Sequence, residues 1–343
     1  MPDVDLDVHS VPLDQILFDT FDGRSVPLST STPDLRARLL DVIPPIDDPR
    51  YEGPAGGDWL TPDDLVLGYI ARDQAYAYPF KILNFHEIVN DDLGGIPVLI
   101  SYCPLCRSGI VYDRRVSDMT LEFSNTSALY ESDLVMVDRS TGSYWWQVAG
   151  EAIVGQLTGT RLEPLASSVA TWEEWRSLHP DTRILSRDTG LSRPYELDPF
   201  ASFSDQVDAG EFPFPVGEAA RDNRLSPSTL VVGVAVDDEH RAYPVPLIDG
   251  VANDVIAGAP VVVFVAADGT TAGAFSPLVD ETTLQFSADG DGYVDDVTAS
   301  TWTSAGRAVS GELAGTRLRQ IPSRTTFWFA YVAAFPDVEI FEP

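Results

Sequence analysis

The only two cysteines in the 343 residues are Cys103 and Cys106, set in the stretch VLISYCPLCRSGIVYD, 98–113. A Cys-x-x-Cys at the end of a strand brings two sulfurs close enough to close a small disulfide, and Arg107 beside it is expected to favour the reactive thiolate. Thiol–disulfide exchange needs little more than that and access for a partner. The same pair is also half of a metal site. Structural zinc takes four ligands, and the chain adds four histidines, His9, His86, His179 and His240. Copper(I) is satisfied with fewer. Free cysteines also serve as small buried hydrophobes. The pair taken alone leaves redox, metal and packing readings open.

Comparing the chain with itself narrows the site. DLVLGYIARDQAYAYPFKIL at 64–83 returns as TLVVGVAVDDEHRAYPVPLI at 229–248, GIPVLISY at 95–102 as GAPVVVFV at 258–265, and MTLEFS at 119–124 as TTLQFS at 282–287. WQVAGEAIVGQLTGTRL at 146–162 returns as WTSAGRAVSGELAGTRL at 302–318, which sets Trp146 opposite Trp302. Trp172, Pro180 and Asp181 recur as Trp328, Pro336 and Asp337. This pattern predicts two tandem copies of one domain. Copy one spans 61–186 and copy two 226–343, with an N-terminal extension at 1–60 and a connector at 187–225. Part of the extension is expected to dock on copy one, and Phe200, Phe212 and Phe214 are expected to pack the connector.

Features in both copies serve the shared fold. Features in one copy need another reason. Cys103 and Cys106 fall opposite Ala266 and Gly269, His86 and Glu87 have no counterpart, and the loop NTSALYESD at 125–133 has no full equivalent. Their joint loss predicts a joint site in copy one, with copy two degenerate. In the redox reading Cys103 attacks, Cys106 resolves and His86 accepts the proton or orients the site, with Glu87 the fourth catalytic candidate. Glu87 and Tyr130, with Asp133, Asn125 and Arg107, line the substrate site. In the metal reading zinc or copper is bound by Cys103, Cys106 and His86. In the third reading the chain is a scaffold.

The elements that must position these residues read as mainly β, or α+β, with short helices. IPVLISY, GIVYDRRV, MTLEFS and LVMVDRSTGSYWWQ are β-branched and aromatic runs separated by turn residues. PFKILNFHEIVND is the exception: Ile82, Phe85, His86 and Val89 share a face at helical spacing, and Asn90-Asp91 then reads as a helix-ending polar clamp. TWEEWRSLHP predicts a second short helix capped by Thr171. RSGIVYDRRV after the dithiol lacks the helix that a thioredoxin-like fold requires.

Composition limits the partners. Fifty-three acidic residues against 22 basic ones give a formal net charge of −31, and Lys81 is the only lysine. Such a surface repels nucleic acid and anionic lipid. Carboxylates scattered along the whole chain suit a halophile's salty cytoplasm, where molar salt shortens the Debye length to about 3 Å. The first twenty residues lack a secretory pattern, and no apolar run approaches membrane-helix length. A cytoplasmic protein with a protein or small-molecule thiol partner is expected.

The order AYPFKILNFHEIVNDDLGGIPVLISYCPLC, then LYESDLVMVDRSTGSYWWQ, then W..W...HP, resembles the prokaryotic family called domain of unknown function 3179. The resemblance covers copy one nearly end to end. Its motif falls on His86, Glu87, Asn90, Asp91, Cys103 and Cys106, with Tyr130, Ser132 and Asp133 in the loop. The family includes selenoproteins, which implies a reactive chalcogen in the dithiol region. This chain departs from the pattern in placing Arg107 where a small residue is expected.

Overall fold

Each Ala-Tyr-Pro sequence ends the second strand of a β-hairpin. The computed structural model describes residues 1–342. Strand β1 (Leu65–Ala71) pairs antiparallel with β2 (Gln74–Pro79), placing Gly68 opposite Ala77. Arg72 and Asp73 turn the chain at φ values of 47° and 70°, the left-handed pair that a tight hairpin requires. Gly68 lies against an aromatic ring: a Cβ there would stand 2.1 Å from the Trp175 indole. In the second half, Leu230–Val236 pairs with Glu239–Pro244, Gly233 faces Ala242, and a Cβ on Gly233 would stand 2.0 Å from Tyr331.

The chain is mainly β, 40% strand and 13% helix. Its sheets cross the sequence boundaries. One sheet runs in order through Val251–Ile256, Ala259–Val265, Ala272–Ser276, Ser167–Thr171, β1 and β2. Another runs from Glu239–Pro244 through Leu230–Val236 and Ser323–Phe327 to Ser108–Asp113, Pro97–Cys103 and Ile88–Asp92. The joints are Val169 opposite Ala272 and Thr325 opposite Gly109. Residues 61–186 and 226–343 thus complete each other's sheets.

Two smaller sheets flank this pair. In the first half β7 (Phe123–Tyr130) and β8 (Asp133–Asp138), which follow β3 (Ile88–Asp92), β4 (Pro97–Cys103), β5 (Ser108–Asp113) and the two-residue β6 (Arg115–Val116), form a long hairpin. Leu17–Asp19 of the N-terminal segment adds to the edge of β7. The second half has a shorter hairpin, Phe286–Asp289 with Gly292–Asp295. Asn90 bridges to Phe123 by two hydrogen bonds, its Nδ2 to the carbonyl at 2.9 Å and its Oδ1 from the N–H at 2.8 Å; Asn253 does the same to Phe286. Trp145 Nε1 donates to Asp138 and Trp302 Nε1 to Asp295, both at 3.0 Å. Trp145, and not Trp146, thus makes the bond that Trp302 makes.

The helix expected over 79–91 is shorter. Only Phe80–Leu83 is helical, Glu87 takes a left-handed φ of 58°, and Asn90 and Asp91 lie in β3 as pairing residues. The helix Trp172–Leu178 forms as expected, with the Thr171 side chain accepting from the Glu174 N–H. Phe200 and Phe212 of the connector pack on the first-half core. No helix among the described residues is long and apolar enough to cross a membrane.

Candidate functional site

Cys103 ends β4 and pairs with Ser108, the first residue of β5, and Cys106 lies in the four-residue loop 104–107 between these two core strands. Arg107 closes that loop at φ 52°. The loop is tied from the other end of the chain, since the Phe327 N–H and the Thr326 hydroxyl both donate to the Cys106 carbonyl at 2.9 Å. Both cysteines are free thiols and buried, Cys103 at 1% exposure and Cys106 at 0%. They lie 3.4 Å apart.

The long hairpin supplies the acid. Glu131 and Ser132 turn the chain at φ 53° and 58°, and the Ser132 hydroxyl is anchored on the Phe214 carbonyl at 2.7 Å. Asp133 then starts the return strand, fully buried. The Cys106 thiol donates to Asp133 Oδ1 at 2.9 Å, and the Val148 N–H holds Oδ2 at 2.9 Å. Farther along β7 a bulge between Asn125 and Ala128 re-aims the strand. Asn125 Nδ2 consequently donates to Glu87 Oε2 at 2.7 Å.

Burial sets the proton affinities. It raises the Cys103 thiol, with the charges of Asp133 and Glu87 adding to the effect, and holds the Cys106 thiol well above the ordinary cysteine range. It pushes the Asp133 carboxyl up to about 6 and Glu87 up to about 8, the Asn125 hydrogen bond opposing the latter. Burial outweighs the thiolate-favouring effect expected of Arg107, since both thiols are shifted toward the protonated form. The carboxylate that accepts a hydrogen bond from the dithiol is Asp133.

A cavity of about 210 Å³ reaches Cys103 and not Cys106. Glu87, Asn125 and Cys103 line its floor, while Phe21 and Ile43 from the N-terminal segment and Phe200 and Phe214 from the connector line it from outside the repeat. Of the expected lining residues, Tyr130 instead stacks edge-on against Trp146 at 4.9 Å. Arg107 lines a separate cavity with Lys81 and Asp64.

His86 is also placed differently from expectation. Its Nδ1 lies 2.8 Å from the Pro44 carbonyl and its Nε2 2.7 Å from the Tyr195 hydroxyl, so both nitrogens are occupied away from the sulfurs. A carbonyl only accepts, which fixes the proton on Nδ1, and burial lowers the affinity for a second. The donors that converge are Cys103, Cys106 and Asp133, all within 4.8 Å of one another, and this trio replaces the one containing His86.

Ser101, Ser108 and Gln147 also belong to the site. Cys106 Sγ contacts the Ser108 hydroxyl at 3.3 Å, Ser108 donates to Gln147 Oε1, and Gln147 Nε2 donates to Ser101 at 2.9 Å. All four are buried. The internal comparison carried a signal for Ser101, which falls opposite Phe264. Tyr195 had no such signal.

No curated protein and no solved structure matches the chain. The model of the family described as protein of unknown function DUF3179 matches residues 40–338, and with a CxxC pair inside a match of that length the chain belongs to this family.

Proposed function

We propose that Cys103 and Cys106 act as a dithiol that reduces a disulfide substrate entering the 210 Å³ cavity. The observation that carries this reading is the division of labour between the sulfurs: Cys103 borders the cavity, while Cys106 donates to the Asp133 carboxylate at 2.9 Å. Cys103 attacks as thiolate, forming a mixed disulfide and expelling the first substrate thiolate, which takes up the proton Cys103 gave up. Cys106 then passes its proton to Asp133 and attacks Cys103 Sγ. The second substrate thiolate leaves with that proton, and one substrate disulfide has become two thiols as the dithiol becomes a disulfide. Glu87, protonated to about 8, is the acid facing the cavity. The apolar lining favours a small disulfide over a charged one.

The two halves, in this reading, descend from one unit. The recurring Asn-to-Phe bridges, Trp-to-Asp bonds and glycines under aromatic rings support it. The first half kept the dithiol and the second serves it structurally.

A second reading rests on the three donors within 4.8 Å: zinc or copper held by Cys103, Cys106 and Asp133 without turnover. Thiol counting with elemental analysis on anaerobically purified protein separates the two. The redox reading expects two thiols that convert reversibly to one disulfide in metal-free protein, with exchange abolished in Cys103→Ser. Retention of one equivalent of metal with both thiols protected would replace it by the metal reading.

A further inference from the structure

Three arginines are buried in this chain, and two have their partners. Arg36 is paired with Asp3 at 2.6 Å. Arg114 gives Nε, Nη1 and Nη2 to the carbonyls of Val98, Leu121 and Asp91. Arg324, 7% exposed, gives Nε to the Val148 carbonyl at 3.0 Å and Nη2 to the Ala149 carbonyl at 3.4 Å. Its Nη1 has no protein acceptor and it forms no ion pair among the described residues. The side chain is thus mostly buried and held by two carbonyls, with Nη1 left to the cleft it lines, and an anion in that cleft would give this cation the counter-charge the protein does not supply.

Arg324 lies beside a place for such an anion. With Arg161, Arg319 and His240 it lines a cleft of about 670 Å³, within the range of ligand sites. The cleft's carboxylates are Glu163 and Asp237, so arginine outnumbers acid in a chain whose acids otherwise outnumber bases 53 to 22. Arg161 is paired with Glu151, whereas Arg319 forms no ion pair among the described residues and is exposed. Phe335 lies 5.2 Å from the Arg324 guanidinium and stacks on His240 at 4.1 Å, giving the cleft an aromatic wall. The matching strand position in the first half argues that this is a built feature. Ser168 faces Gly68 as Arg324 faces Gly233, and Ser168 is satisfied by Gln320 Nε2 at 2.7 Å beside a cavity of only about 30 Å³.

We infer that this cleft binds a small organic anion, with a phosphate or carboxylate group on Arg324 and Arg319 and its apolar body against Phe335. Planar guanidinium groups hold both kinds of oxyanion through paired hydrogen bonds. The site is separate from the dithiol and does not depend on its chemistry.

The test is titration calorimetry of the full chain at constant molar chloride, with inorganic phosphate and malonate as probes. One equivalent of at least one probe is expected to bind saturably. Preference for phosphate assigns a phosphate ligand, and preference for malonate a carboxylate. Arg319→Gln, on the surface and safe for folding, is expected to weaken binding about tenfold, and Arg324→Gln to abolish it. No saturable binding of either probe, unchanged binding in Arg319→Gln, or unchanged binding in a folded Arg324→Gln protein would each overturn the inference.

Discussion

Replacing Glu87 by glutamine removes one buried carboxyl and keeps an amide oxygen to accept from Asn125 Nδ2, as Oε2 does at 2.7 Å. In the unfolded chain Glu87 ionises near its ordinary 4.5, whereas in the folded chain burial holds the proton until about 8. Between those values the folded state binds the extra proton, so this group's contribution to stability is fully present below 4.5 and is lost as pH rises through about 8. At ~1.4 kcal/mol for each tenfold change in acidity, the loss is about 3 kcal/mol by neutral pH and about 5 kcal/mol once the folded group also ionises. Urea titrations at constant molar salt, at pH 4.5, 7 and 9, measure it. The wild type is expected to lose stability relative to Glu87→Gln by those amounts, the variant being the more stable protein at pH 9. A difference between the two proteins that stays flat across the three pH values would refute the burial argument, and with it the assignment of Glu87 as a protonated acid facing the cavity.

Asp133→Asn leaves Cys106 without a base and is expected to slow resolution of a mixed disulfide at Cys103 about 100-fold or more, read by stopped-flow with an aromatic disulfide. Because Asp133 accepts a proton only when ionised, the wild-type resolution rate is expected to rise through pH about 6 and the variant's to lack that rise. Asn90→Ala strands the Phe123 N–H and carbonyl and is expected to cost about 2–4 kcal/mol in denaturant titrations. Gly233→Ala forces a methyl group into Tyr331 and is expected to cost about 2 kcal/mol or more, which differential scanning calorimetry would register as a lower Tm. With a net charge of −31, the Tm is also expected to climb steeply between 0.1 and 1 M salt, as the Debye length falls from about 10 to about 3 Å.

The parts of this protein that were legible in its sequence are those fixed by short-range pattern. Alternating apolar residues around Ala-Tyr-Pro give the hairpins, and Thr171 ahead of Trp172 gives a capped helix. The dithiol, Glu87, Asn125 and Asp133 were legible as candidates for one site because no counterparts of them stand in the second half, and the structure brings them into one neighbourhood. His86 passed the same comparison, yet its two nitrogens are engaged by the Pro44 carbonyl and the Tyr195 hydroxyl. The helical spacing of Ile82, Phe85, His86 and Val89 misled because Glu87 turns the chain left-handed, after which Val89 faces the core from a strand. The joints Val169–Ala272 and Thr325–Gly109 join residues more than a hundred positions apart, and no local pattern encodes such a pairing.

Those joints also set an order of events during synthesis. The loop carrying Cys103 and Cys106 emerges from the ribosome some two hundred residues before Thr326 and Phe327, whose donors secure the Cys106 carbonyl. At ~5–20 residues per second, the strand that completes the dithiol's sheet arrives roughly ten to forty seconds later. Through that interval the Cys106 carbonyl lacks the two donors that hold the dithiol loop in the finished protein, although the Asp133 that accepts from its thiol has already been made. The dithiol loop is therefore anchored at both ends only once the last strand has paired, and non-local pairing of this kind also slows folding after release.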